Sequence, residues 1–158
     1  MNRSGIVNLD KFLRDLKQIE ADVREKPKEA ALKIGAAVER QAKINASTGR
    51  HKPGEPHIPW TGPGPNRATN RLHNSITSYG RPVGFDRYQV LVGPTIEYAR
   101  DVEFGAPHWR RKSDGTLFPP GEGYPYFRPA VDGLRRMGAY DTILKQVWQG
   151  TALEKKGR

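Results

Sequence analysis

From Leu9 to Val23 the apolar residues Leu9, Phe12, Leu13, Leu16, Ile19 and Val23 recur at three- and four-residue steps. That period predicts an amphipathic helix over residues 8–25, with Asn8 or Asp10 able to cap its free amides. Pro27 interrupts the pattern, because it suits a first helical turn and biases Lys26 away from the helical region. A second helical stretch runs from Pro27 to about Ala46, with Ala31, Ile34, Val38 and Ala42 on one face. No loop residues separate the two, so one kinked helix is preferred to a bent pair. Ala30, Ala36 and Ala37 are small enough to let another element approach closely.

The period then changes to two. Residues 68–75 fit a short helix entering a strand over Ile76–Arg81, and Pro82–Asp86 reads as a hairpin connection to a strand over Arg87–Val92. Tyr88, Val90 and Val92 fall on one face of that strand and Gln89 and Leu91 on the other, until Gly93-Pro94 ends it. Ile96, Ala99 and Val102, spaced by threes, suit a helical turn or two that closes at Glu103-Phe104-Gly105. The final helix is expected from about Phe127 or Pro129 to Trp148, with Val131, Leu134, Met137, Ile143, Leu144, Val147 and Trp148 as its stripe. Gly138 weakens its middle, Gly150 ends it, and the tail beyond is expected to fray.

Two stretches carry neither period. Residues 47–70 are dense in proline and glycine and read as an extended loop or arm, with Ile58 and Trp60 as apolar anchors. Residues 106–126 read as a loop holding a small hairpin, Trp109–Lys112 against Thr116–Phe118 around Ser113-Asp114-Gly115. The expected fold is α+β: helices at both ends (8–46 and 127–149) packed on a small antiparallel sheet within 71–105, with long Pro/Gly-rich loops. Its 158 residues read as one domain.

Composition narrows the class. No run of 18 apolar residues is present, and the start of the chain lacks the apolar centre of a secretory signal. With no cysteine there is no disulfide framework and no thiolate metal site. The expectation is a soluble protein made in a cytosol. The net charge of +10 is spread, at +3 over residues 1–46, +3 over 47–74, −1 over 75–105, +1 over 106–126 and +4 over 127–158. Such a field could sit beside DNA, complement an acidic partner, or simply keep the surface solvated.

Candidate chemistry is sparse. His51, His57, His73 and His108 are not at ligand spacing, so no metal and no cofactor is expected. Glu97, Asp101 and Glu103 form an acidic knot that could pair carboxylates. A salt-bridge reading is preferred, with Arg100 close enough to neutralise Glu97 and Asp101, and Glu103 bracing a turn rather than moving protons. There is no nucleophile elbow, and nothing demands an enzyme. Basic residues beside aromatic or imidazole rings, Trp109-Arg110-Arg111-Lys112 and Arg67/Arg71 near His73, are a surface type that grips phosphates without reading sequence.

Three segments together resemble a known family. They are Leu72-x-x-Ser75-Ile76 entering a strand, Tyr98-Ala-Arg-Asp-Val102-Glu103-Phe104-Gly105, and Pro125-Tyr-Phe127-Arg-Pro129-Ala130. Over residues 28–137 the chain resembles the gene-product-ten-like neck or tail-completion proteins of long-tailed bacteriophages. The resemblance implies a structural subunit that forms a ring, usually of six, between head-closure or connector proteins and the tail terminator or tail tube. DNA would pass through the lumen unread, and the protein would wait in the host cytoplasm before joining the virion. Tyr98, Val102, Glu103, Phe104, Gly105, Pro125, Phe127 and Pro129 would then be architectural. Ile58, Trp60, Trp109, Arg110, Arg111 and Lys112 would touch neighbouring subunits or partners, and Arg67 and Arg71 would face DNA. The long 50–70 stretch and the 108–118 hairpin depart from the family pattern. Two alternatives stay open: a nucleic-acid-binding accessory protein gripping phosphates without sequence specificity, and a hydrolase built on Glu97, Asp101 or Glu103.

Overall fold

A computed structural model of the chain describes residues 9–47, 71–84, 87–105, 123–151 and 154. The first element, α1, is one helix over Leu9–Asn45 with Pro27 inside it. Lys26 is helical, contrary to the bias expected of a residue before proline. Pro27 still deprives the Val23 carbonyl of its amide partner, at a cost of roughly 3 kcal/mol in a helix interior. The helix runs on because its continuation is packed: Ala30, Gly35, Val38 and Ala42 are all buried. One ion pair bridges the break as well, Lys26 reaching Glu29 across Pro27 at 3.1 Å, and Lys33 holds the same carboxylate from the following turn at 2.7 Å. The hydrogen bond from Lys33, then that from Lys26, holds the Glu29 carboxyl below its ordinary range.

After α2 (Arg71–Ser75) come β1 (Ile76–Pro82) and β2 (Tyr88–Pro94), paired antiparallel from Ile76↔Pro94 to Pro82↔Tyr88. The Val83 amide donates to the Arg87 carbonyl at 3.0 Å to close the turn. One face of this ribbon lies on α1. A Cβ on Gly35 would overlap Cγ1 of Val90, and one on Gly80 would meet the Tyr88 ring and Leu32. The closest approach is therefore made at Gly35, whereas Ala36 points to solvent. Ser78 donates to Glu39 at 2.6 Å across the same contact, while Lys43 binds the other Glu39 oxygen at 2.6 Å. Lys43 first and Ser78 second hold that carboxyl below its ordinary range. The opposite face leaves the cross-strand pair Tyr79 and Leu91 exposed.

Next come α3 (Ala99–Phe104), α4 (Phe127–Arg136) and α5 (Ala139–Trp148). The single C-terminal helix expected over 127–149 is two helices. Gly138 takes a left-handed φ of 64°, which a residue with a Cβ adopts at a cost, and the chain turns there. Met137 is accordingly exposed rather than part of a continuous stripe, while Leu134 and Val147 are buried on either side of the turn. The core gathers Ala42 from the end of α1 and Ala46 just past it, Ile76 from β1, and Tyr126 and Ala130 at the start of α4, with Leu72, Val102 and Phe127 packed against it. Among the described residues no helix is long and apolar enough to cross a membrane.

The first half of α1 breaks the expected pattern. Gln149–Thr151, just past α5, lie beside its polar flank at Asp15, Gln18, Asp22 and Lys26. Its apolar ridge stays open: Leu9 is 60% exposed, Phe12 53%, Leu13 46%, Leu16 43% and Val23 38%. The chain covers the polar side of this helix and leaves the greasy side bare.

The close approach at Gly35 yields a direct test. Gly35→Ala gains up to ~1 kcal/mol of helix propensity but meets overpacking worth about 1–3 kcal/mol. Urea unfolding should show a net loss of stability, and the double variant Gly35→Ala/Val90→Ala should lose less than the two single changes added together. Simple additivity would contradict the packing described.

Candidate functional site at the junction of α3 and α4

The site is built from backbone amides and one carboxylate. Ala99 and Glu103 are four residues apart on α3, so both turn inward, and they are 2% and 8% exposed. Phe104, one residue on, points outward. Gly105 ends the helix with φ 79°, its amide donating to the Asp101 carbonyl at 2.8 Å. The chain returns at Gly123, where a Cβ would stand 2.5 Å from the Glu103 carbonyl oxygen and the Gly105 nitrogen. Only glycine fits against backbone that close. The Tyr124 amide then donates to the Val102 carbonyl at 2.6 Å.

This brings the Glu103 carboxylate to the open N-terminus of α4. Its Oε2 accepts from the Tyr126 amide at 2.8 Å and the Phe127 amide at 2.9 Å, and its Oε1 accepts from the Arg128 amide at 2.8 Å. The next residue, Pro129, has no amide to satisfy. The first-turn donors are thus either bound by one anion or absent, and the negative charge lies at the favourable end of the helix dipole. Asn45, the last residue of α1, donates its side-chain amide to the Tyr126 carbonyl at 2.9 Å. Tyr126 itself is 1% exposed. Burial above all, then the charges of Glu103 and Tyr98, pushes its hydroxyl well above the ordinary tyrosine range.

Tyr98, Val102, Glu103, Phe104, Gly105, Pro125, Phe127 and Pro129 therefore converge on one junction. Arg71 lies apart, exposed at the start of α2. Ile58, Trp60, Arg67, Trp109, Arg110, Arg111 and Lys112 fall outside the described residues, as do the arm and the second hairpin expected around them. The salt bridges expected for Glu97 and Asp101 are not formed: no ion pair joins either to Arg100 among the described residues. Glu97 precedes α3, and Arg100 and Asp101 are adjacent on it, a spacing at which side chains diverge. Both Glu103 oxygens are occupied by amides, so its chemistry here is that of a cap. Among the described residues no cluster of side chains could hold a metal ion. Sequence reading missed Asn45 and Gly123. Asn45 carried only the weak signal of an amide at a helix end, and Gly123 none that sets it apart from the glycines around it.

A family model described as "Bacteriophage HK97-gp10, putative tail-component" matches residues 10–105. The match runs from the first turn of α1 through Gly105, so it contains Glu103 but stops short of the helix that Glu103 caps. No curated protein and no solved structure matches.

Two measurements probe the junction. Glu103→Ala removes a cap and strands a buried donor at Tyr126, and should lower the unfolding free energy by roughly 2–4 kcal/mol, more than an ordinary exposed cap. Because the folded state holds the Tyr126 hydroxyl protonated above its unfolded value near 10, its contribution is intact below pH 10 and fades as pH rises beyond it. Tyr126→Phe should therefore flatten the fall of stability between pH 10 and about 11.5. An unchanged alkaline slope would contradict the assigned environment.

Proposed function

The chain belongs to the HK97-gp10-like family of phage tail components, and from that premise we propose that it is a neck protein. In this reading it forms a homo-oligomeric ring, six copies by the family resemblance, that completes the tail and joins it to the DNA-filled head. Its neighbours are head-closure or connector proteins on one side and the tail terminator or tail tube on the other. DNA passes through the lumen without sequence readout, and Arg67 and Arg71 are assigned to that wall. The arm around Ile58 and Trp60 and the Trp109–Lys112 stretch are assigned to contacts between subunits. The protein would gather in the host cytoplasm and end in the virion.

The observation that carries this reading is the open ridge of α1. Five large apolar side chains between Leu9 and Val23 are a surface that soluble monomers seldom display without a partner. Covering each half-exposed side chain stabilises an interface by roughly 1 kcal/mol. The packed half of α1 rests on its own sheet, so the bare half is free to rest on the next subunit. A contact between two different surfaces, repeated around an axis, closes a ring.

A phage lacking this protein should accumulate full heads and separate tails in negative-stain micrographs. Complementation with Leu13→Glu/Leu16→Glu should fail to restore joined particles, although the purified variant should match the parent's stability within about 0.5 kcal/mol, both positions being half exposed in the free subunit. Joined, infectious virions in the absence of the protein would overturn the proposal.

A further inference from the structure

The outer side of the α3–α4 junction forms a groove of about 540 Å³. Phe104, Pro125 and Pro129 supply apolar lining, and Phe104 is 55% exposed there. Three guanidinium groups, Arg128, Arg135 and Arg136, line it as well. Among the described residues Asp132 is the one carboxylate besides Glu103 that lines the groove with them, and it lies 3.8 Å from Arg128. Glu103 also borders the groove, but its oxygens are bound by the α4 amides. Arg135 and Arg136 form no ion pair among the described residues. Among the described residues the groove is thus apolar inside with a net positive wall.

We propose that this groove docks an acidic segment of an adjoining virion protein, with an aromatic or aliphatic side chain in the Phe104–Pro125–Pro129 cleft and flanking carboxylates on Arg135 and Arg136. The volume suits one or two anchoring side chains of a peptide, within the range of ordinary ligand clefts. Planar guanidinium groups bind carboxylates in a two-pronged fashion that lysines do not match. A second copy is a poor occupant for a local reason: its own acidic stretch beside aromatics, Glu97 to Phe104, is folded into α3 and the turn before it, with Glu103 bound to the α4 amides. Phosphate backbones need cations but gain nothing from a proline-lined floor, which favours a protein segment over nucleic acid. The inference rests on the reading of the chain as one that joins other virion proteins, and it adds the chemistry of one of them.

The test uses the full chain and fluorescence anisotropy with a labelled peptide in which one phenylalanine is flanked by glutamates. Controls are the same peptide with serine for phenylalanine, the same peptide with glutamines for glutamates, and a short single-stranded DNA. The acidic aromatic peptide should bind in a salt-sensitive manner and at least several-fold more tightly than either peptide control. Arg135→Glu/Arg136→Glu should weaken it roughly tenfold or more, and Phe104→Ser should weaken it independently, with unchanged circular dichroism in both variants. Equal binding of all three peptides, or indifference to both variants, would overturn the proposal. Displacement of the peptide by the DNA would overturn it too and assign the groove to nucleic acid. The ring reading is decided separately by particles lacking the protein, so failure of one does not stand for failure of the other.

Discussion

One carboxylate ties the end of α3 to the start of α4. Glu103 sits at the end of a short helix that follows the sheet, and it caps a helix that begins more than twenty residues later. Its three amide partners are the ones a helix start leaves unsatisfied, so the cap also sets where α4 begins and which way it points. With that point fixed, Tyr126 enters the core beside Ala42, Ala46 and Ile76, and Asn45 can reach its carbonyl. Gly123 completes the arrangement by letting the returning chain lie on the end of α3. The groove on the outer side exists only because its two walls, α3 and α4, are held at this distance.

The second constraint is the length of α1. Thirty-seven residues at 1.5 Å each span about 55 Å, whereas seven-residue strands cover about 23 Å. A two-stranded ribbon is marginal alone, so the packed half of α1 is what makes the sheet stable, through the close contacts at Gly35 and Gly80. The other half cannot find enough sheet to cover it. Its ridge stays bare while the end of α5 takes the polar flank. A stripe that is continuous in sequence is thus divided in the structure into a core half and an exposed half.

Local rules made much of this legible. The three- and four-residue steps of α1, the alternation around Val90, the turn before Arg87 and the threes at Ala99 and Val102 all depend on near neighbours, and these elements form close to where their periods place them. Ile96 stands before α3, and β2 runs on through Gly93 to Pro94 rather than ending there, because Gly93 and Pro94 still pair with β1. Pro27 reads rightly as an interruption within one helix rather than its end, and the helix runs through it because packing beyond Ala30 outweighs a local defect. Gly138 was visible as a weak point but not as a break, since glycine is tolerated within helices unless the chain must turn. Which small residue admits the sheet depends on a distant partner: Gly35 rather than Ala36 faces Val90, and no local pattern says so. For the same reason the motif around Glu103 could be seen, but its partners at Tyr126, Phe127 and Arg128 and the supports at Asn45 and Gly123 could not be derived from spacing.

The central claim is that the bare ridge of α1 is the surface by which copies of this chain build a neck ring. A cryo-electron microscopy reconstruction of the head–tail junction of intact particles tests it most directly. The account predicts a closed ring of this chain there, with Leu9, Phe12, Leu13 and Leu16 of each copy covered by its neighbour. A junction without this chain, or a ring in which that ridge still faces solvent, would contradict it.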